Sequence, residues 1–432
     1  MYVLPEGYHE NMQLYHLSSP LLFNLLPEDV LNKKAKDLEW LCGFSEAESM
    51  FFISSTGALS FRIKLHWDDK GSLVYIKNLL GELVGRNVGV IVDSKDNHES
   101  YFTVANFKDI QEILIPIFST YYFTTSKYLD FQDFKAAAEI KKVSYLEKRK
   151  LNKVELEKIL ILKSSMNSLR KYFNNNNLPK RILTPYRLLG FVEGDGTFCL
   201  PNMIPYFGIK QHSKNIHFLY EIAEFLNSLP YNPEIGPKTD KLITKPTAVI
   251  HEPDLDTGMA SLSVSNILQL YNYVLPFFKS LEFKSRKAVD FKYWEVAVKL
   301  KALGYTTKSE GKKCLIEISK CMNNKRYSTN LEAGKPLSLD VICKIFDSPP
   351  IFDLASGLSY KAYSDIAKVS KKGNVGFGVN VYDMDKLVKG SPFSSYTQAA
   401  LAMGNINISS VISKKIDTGK LYKQRFKFES SV

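Results

Sequence analysis

Cysteine is scarce in this chain, and the few copies exclude two chemistries. Cys42, Cys199, Cys314, Cys321 and Cys343 are scattered, odd in number and form no CxxC pair. A disulfide framework and a cysteine zinc site are both unsupported, and a reducing compartment fits better. No apolar run approaches the roughly 18 residues of a membrane span, so no membrane partner is expected. The opening stretch MYVLPEGYHENMQLYHL holds acids and no Arg. It reads as neither a secretory signal nor a transit peptide, so an organellar protein of this kind is expected to be made inside its organelle. Acids are also outnumbered, 45 Asp and Glu against 57 Lys and Arg, which leaves a net charge of +12. An acidic partner follows, and nucleic acid is the usual one. What remains is globular in composition, with 45% hydrophobic and 24% charged residues. At 432 residues the chain is too long for one ordinary core, so two or three domains are expected.

The chain repeats itself. WLCGFSEAESMFFI at 40–53 matches LLGFVEGDGTFCL at 188–200, pairing Gly43 with Gly190, Glu46 with Glu193, Ala47 with Gly194 and Glu48 with Asp195. FRIKLHWDDK at 61–70 matches FGIKQHSKNI at 207–216, TTSKYLDFQDF at 124–134 matches FKSRKAVDFKYW at 283–294, and ILKSSMNSLR at 161–170 matches EISKCMNNKR at 317–326. Four matches in one order, at similar separations, define two homologous halves. The boundaries read as an N-terminal extension over 1–35, a first half over 36–170, an Asn-rich linker over 171–183, a second half over 184–327, a linker over 328–378 and a C-terminal unit over 379–432. Alternating strands such as SFRIKLHW and PYFGIKQH, followed by segments of helical spacing, predict α+β halves with mainly antiparallel sheets.

The segment LLGFVEGDGTF sets two acids at the end of a greasy helix. Thr184 and Pro185 make its start, and it should stop near Gly196. Gly190 and Gly194 lie one turn apart on one face, and Gly43 and Ala47 repeat that arrangement. Small residues at this spacing let helix backbones approach closely. If the two helices pack along these faces, Glu48 and Asp195 meet. Each carboxylate opposes its helix macrodipole by roughly 0.3–1 kcal/mol, and the pair repel. A hard divalent cation such as Mg²⁺ reverses both terms, and such acids serve metal-assisted phosphodiester hydrolysis. Glu46 and Glu193, two residues earlier, point elsewhere and read as structural.

The pair LCGFSEAES and LLGFVEGDG resembles the doubled signature of the LAGLIDADG homing endonucleases, and the resemblance extends over about 36–327. It implies two pseudo-symmetric αββαββα halves with saddle-like antiparallel sheets, in a monomer that mimics a two-fold dimer. It implies Glu48 and Asp195 as metal ligands, each serving one strand of a long double-stranded DNA site. It places Lys127 and Lys287 near the scissile phosphates, and Gln211 beside the metal-bound water, where the first half has Leu65. The first signature departs at Ser49, where the family has glycine, which predicts strain at that helix exit. The family also contains maturases that bind group I intron RNA, the alternative partner here, favoured by the basic stretch from Lys141 to Lys171. An intron-encoded, mitochondrial protein is the expected setting, ahead of the chloroplast.

Strand faces carry the expected DNA readers. Arg62, Lys64 and His66 alternate with Phe61, Ile63 and Leu65, and Lys210 and His212 fall on the outward face of the second half. In the C-terminal unit, VYDMD reads as a strand, SYTQAALAMG and NISSVISKKIDTGK as short helices, and YKQRFKF as a closing strand. This small helix-turn-helix-like module resembles the NUMOD-type DNA-binding modules attached to homing endonucleases. Ser409, Ser410, Ser413, Lys414 and Lys415 are its expected contacts.

Overall fold

A computed structural model describes residues 28–170, 173, 178, 182–231, 248–331, 337, 339–348, 350, 378–393, 395–405 and 408–431. The chain divides into two compact units, Met1–Gly357 and Leu358–Val432. Among the described residues no helix is long and apolar enough to cross a membrane.

The larger unit contains both halves. The first runs α1 (Glu28–Glu48), β1 (Ser49–Ile53), β2 (Leu59–His66), α2 (Lys70–Val84), β3 (Val90–Ser94), β4 (Glu99–Val104), α3 (107–120), α4 (Lys127–Leu146) and α5 (Lys153–Ser164). The second runs α6 (Pro185–Asp195), β5 (Gly196–Cys199), β6 (Tyr206–His212), α7 (Ile216–Asn227), β7 (Val249–His251), β8 (Met259–Val264), α8 (267–279), α9 (Lys287–Ala302), α10 (Ser309–Ser319) and α11 (Leu339–Phe346). The sheets are antiparallel with the same order, β1-β2-β4-β3 and β5-β6-β8-β7. The architecture is therefore the mixed α+β one that the alternation called for.

The duplication extends to irregular features. Asn106 and Asn266 cap α3 and α8, and each helix widens into one π turn, Ile110–Leu114 and Leu270–Val274. A proline, Pro116 or Pro276, follows each wide turn; it lacks the N–H that a regular ladder needs. The matched MN of the fourth repeat is a clip. Asn167 and Asn323, both at positive φ, donate their side-chain amides to Phe51 O and Phe198 O, each at 3.0 Å. Their backbone N–H groups donate to Asp130 and Asp290 on α4 and α9. Phe51 and Phe198 are the hubs of two buried aromatic cages. Phe51 touches Phe61, Phe118, Phe123, Phe131 and Phe134, and Phe198 touches Phe207, Phe278, Phe291 and Trp294.

Two boundaries differ from the sequence reading, and one basic stretch proves to be helical. α1 starts at Glu28, inside the stretch assigned as N-terminal extension. The basic stretch from Lys141 holds the end of α4 and all of α5, the latter fixed by an Asn152–Glu155 capping box. The stretch 328–378 is not all linker: α11 packs on α10, where Tyr305 meets Phe346 edge-on and donates to Ser348 O at 2.7 Å. Most of the linker at 171–183 lies outside the described residues.

The smaller unit has its own core of Val379, Val381, Ala399, Ala400, Ile408, Ile412 and Phe428. A three-stranded sheet, β10 (Lys386–Leu387), β9 (Gly378–Asp383) and β11 (Phe426–Ser431), carries α12 (Tyr396–Ala402) and α13 (Ser409–Lys415). Ser395 caps α12 by accepting from Gln398 N at 3.2 Å. The closing strand starts later than YKQRFKF implied, because Lys423 and Gln424 have positive φ and form a turn.

Candidate active site

The site begins where α1 and α6 touch. A Cβ built on Gly43 would lie 2.0 Å from Arg187 O, and one on Gly190 would lie 2.1 Å from Trp40 O. Only glycine fits at either position, and the two backbones are in direct contact. One turn on, Gly194 faces Ala47 and the Glu48 side chain. The four small residues thus lie along the seam between the helices.

Two buried polar pairs cross this seam reciprocally. Trp40 Nε1 donates to Glu193 at 2.7 Å, while Arg187, at the matching position of the other half, is ion-paired with Glu46. Each glutamate also accepts N–H groups from the loop before its own lysine helix. Glu46 takes Thr124 N and Thr125 N at 2.7 Å, and Glu193 takes Lys284 N and Ser285 N. Both are the structural acids that their helix positions implied.

Glu48 and Asp195 are the last residues of α1 and α6. Burial pushes the Glu48 carboxyl up to about 7, and the neighbouring Asp195 charge adds to the shift. Burial also raises the Asp195 carboxyl, against the pull of Lys127, a hydrogen bond from Gln211 and Lys287. Lys127 and Lys287 begin α4 and α9. Lys127 Nζ donates to Ser45 O at 3.0 Å and to Ser49 O, and Lys287 Nζ donates to Gly196 O at 2.9 Å. Burial draws the Lys127 ammonium down to about 8 and lowers Lys287 in the same direction. Two carboxylates and two ammonium groups therefore meet at the helix ends, each desolvated.

Strain at Ser49, the expectation from its departure, is not what the structure shows. A Cβ on Gly196 would lie 2.6 Å from Val192 Cγ1. In the first half the residue in the place of Val192 is Ser45, which leaves room, and Ser49 Oγ donates to Ser45 O at 2.6 Å. Ser49 also keeps φ negative. At Gly196 a Cβ would also lie 2.7 Å from Val192 O and 2.9 Å from Val192 Cα, so the backbone of that helix exit excludes a side chain as well as the valine does.

The surroundings of the two acids differ. Gln211 Nε2 donates to Asp195 Oδ2 at 2.6 Å and is itself held by Asn215 Nδ2 at 3.1 Å; Asn215 Oδ1 accepts Ser126 N at 2.9 Å. Leu65 takes the place of Gln211 beside Glu48, and Asp69 takes that of Asn215. Asp69 accepts Arg326 Nη1 at 2.9 Å and Tyr327 OH at 2.7 Å, closing a clasp between the halves. Asn215, Asp69 and Arg326 escaped the sequence reading, although all lie inside the matched blocks. Their signal was positional: Asn215 and Asp69 each stand four residues after the Gln211 or Leu65 position.

The strand readers are unequal. Lys210 is exposed, Lys64 is exposed and paired with Glu99 at 2.9 Å, and Arg62 stacks over Phe52 at 4.1 Å. His66 is not a free outward side chain. Its ring packs on Tyr327 at 4.2 Å, it hydrogen-bonds Thr329, and its Nδ1 accepts Asp68 N. His212 repeats that last role by accepting Lys214 N at 3.3 Å. Both histidines cap a following turn. In the smaller unit Ser413 and Lys414 are exposed on α13 and Ser409 begins it, while Lys415 is tied to Leu421 O at 2.7 Å. The side chain of Ser410 lies outside the described residues.

Touching signature helices, paired terminal acids and two four-stranded antiparallel sheets of the same order define a class, and sequence comparison agrees with it. The LAGLIDADG endonuclease family model matches residues 41–138 and 188–298, once in each half, so both halves are similar to that family over their signature helix, sheet and lysine helix. It is 25% identical over 459 aligned residues to "Uncharacterized mitochondrial protein RF1" of Saccharomyces cerevisiae, covering 99% of this chain and 90% of that one. It is 28% identical over 273 residues to "Probable intron-encoded endonuclease Cox1-I1b" of Schizosaccharomyces pombe, covering 59% of this chain and 62% of that one, less than two thirds of the relative's length. Its fold is shared with the LAGLIDADG homing endonuclease I-GzeII, solved in complex with its DNA target, at a TM-score of 0.54 and 23% identity over 67% of this chain and 99% of that one.

Proposed function

We propose that this chain is a divalent-metal-dependent DNA endonuclease of the homing type, acting as a single chain, encoded in an intron and working in the mitochondrion. The observation that carries the reading is the convergence of Glu48 and Asp195 at the ends of touching helices, each close to Lys127 and Lys287. The names of the relatives support the intron and the organelle.

The residues fit a hard cation. Both acids are raised by burial, so as free carboxylates they lack sufficient counter-charge. Among the described residues no cluster of three or more His, Cys, Asp or Glu forms a closed cage. A pair of carboxylates with room for water and phosphate suits Mg²⁺ better than zinc. A bound divalent cation would supply an activated water and charge for the leaving oxygen. The protein's own groups do the positioning. Lys127 and Lys287 hold ammonium charge beside the acids, available to a phosphate that displaces their carbonyl partners. Glu46 and Glu193 fix the loops from which those lysines start. Arg62, Lys64 and Lys210 on the strands, with Ser413 and Lys414 of the smaller unit, contact the duplex.

The test is selection of cut products from a randomised duplex library with Mg²⁺, followed by assay of the selected duplex. The parent is expected to cut it in both strands, and Asp195→Asn to lose cutting of one strand by about 100-fold or more. No cutting by the parent, with group I intron splicing stimulated equally by parent and variant, would overturn the reading in favour of an RNA-binding maturase.

A further inference from the structure

The two acids are related by the internal repeat, but their supports are not. Asp195 has an outer shell of three linked hydrogen bonds, from Gln211 through Asn215 to Ser126 N. In that half Phe218 is fully buried and packs edge-on against Phe191 at 4.8 Å. At Glu48 the amide is replaced by Leu65, and Asp69 is committed to Arg326 and Tyr327. The position of Phe218 is taken by Ser72, which is 2% exposed and whose hydroxyl has no partner. A cavity of about 200 Å³ opens there, lined by Glu48, Leu65, Asp69, Ser72, Lys287 and Arg326. Among the described residues no hydrogen bond reaches the Glu48 carboxylate, so only packing and the nearby charges of Lys127 and Lys287 orient it. A ligating carboxylate that is oriented by an outer partner holds metal better, and losing such a partner typically costs 10–100-fold in affinity or activity.

We propose, resting on the endonuclease reading above, that the two centres act independently at unequal rates, so that in the parent the strand served by Asp195 is cut first and the strand served by Glu48 second, with nicked duplex as the intermediate. Gln211 is the positioning residue that sets the order, and Leu65 is the position that withholds it from the other centre. Each step is a hydrolysis. The water oxygen forms the new bond to phosphorus, the bond from phosphorus to the leaving sugar oxygen breaks, and a proton from the water ends on that oxygen.

The order is read on supercoiled plasmid carrying the selected site, with each strand end-labelled. Glu48→Gln and Asp195→Asn assign the strands, since each variant retains the cut of the other centre. The parent is expected to nick the Asp195 strand roughly 10–100-fold faster than the Glu48 strand. Gln211→Leu should slow the first cut by that factor and leave the second unchanged, and Leu65→Gln should speed the second. A Mn²⁺ titration by electron paramagnetic resonance, on the complex with a non-hydrolysable copy of the site, gives a readout apart from turnover. Two unequal sites are expected, the tighter weakened by Gln211→Leu. Equal strand rates, equal metal sites, or a faster Glu48 strand would overturn the order while leaving the endonuclease intact. A parent that cuts neither strand would overturn the endonuclease itself. If Leu65→Gln does not fold, the Gln211→Leu comparison decides alone.

Discussion

Glu48 carries its charge where neither its helix dipole nor its surroundings welcome it. Its carboxyl titrates at about 7 in the folded chain against 4.5 for the free group. Between those values the folded chain holds a proton that the unfolded chain has released, so folding stability falls as pH rises through that window and levels off above it. Metal-free protein is therefore expected to lose on the order of 1–3 kcal/mol between pH 5 and pH 8 from this group, and Glu48→Gln to flatten that part of the profile. Urea denaturation in chelator at both pH values checks this; an unchanged profile in the variant would refute it. At this scale the acids, the lysines and Gln211 were legible, because each sits in a matched block. The meaning of Ser49 was not. Its hydroxyl finds a partner in Ser45 O, four residues earlier, whereas at the matching exit both the side chain and the backbone of Val192 exclude a Cβ, and only the folded geometry shows that difference.

The seam between α1 and α6 is the element on which the site depends. Removing one partner of a buried ion pair strands the other, at a cost of about 3–5 kcal/mol. Glu46→Ala should therefore destabilise by about that much, since it strands Arg187 and frees the Thr124 and Thr125 N–H groups. Trp40→Phe removes one neutral donor from Glu193 and should cost only about 1–3 kcal/mol. Denaturant midpoints of the two variants test the difference, and equal losses would count against it. The helices, their small-residue faces and the strand alternation could be read from periodicity, which depends on local spacing. The reciprocal pairs could not, because Trp40 and Arg187 share a position and a task but no chemistry. The clasp at Asp69 was hidden for a different reason: it joins residues 257 positions apart. His66 looked free for the same reason, since its partners Tyr327 and Thr329 lie far along the chain.

At the scale of the molecule, two separate hydrophobic cores imply two separate meltings. Phe428 is fully buried in the smaller core, and Phe428→Ala should cost about 3–5 kcal/mol there. Calorimetry is expected to show one transition lowered and the other unmoved; a shift of both would mean the units unfold together. The larger unit behaves differently, since its halves share the glycine seam and the Asp69 clasp. That seam also acts as a ruler. Where Gly43 and Gly190 bring backbone onto backbone, the separation of the two acids contains no adjustable side chain. On the proposed function, the stagger between the two cuts is a dimension of the helix pair and owes nothing to the strands that read sequence. Rebuilding the faces around Arg62, Lys64 and Lys210 for another target would change where the duplex is opened while leaving the length of the overhang as it was.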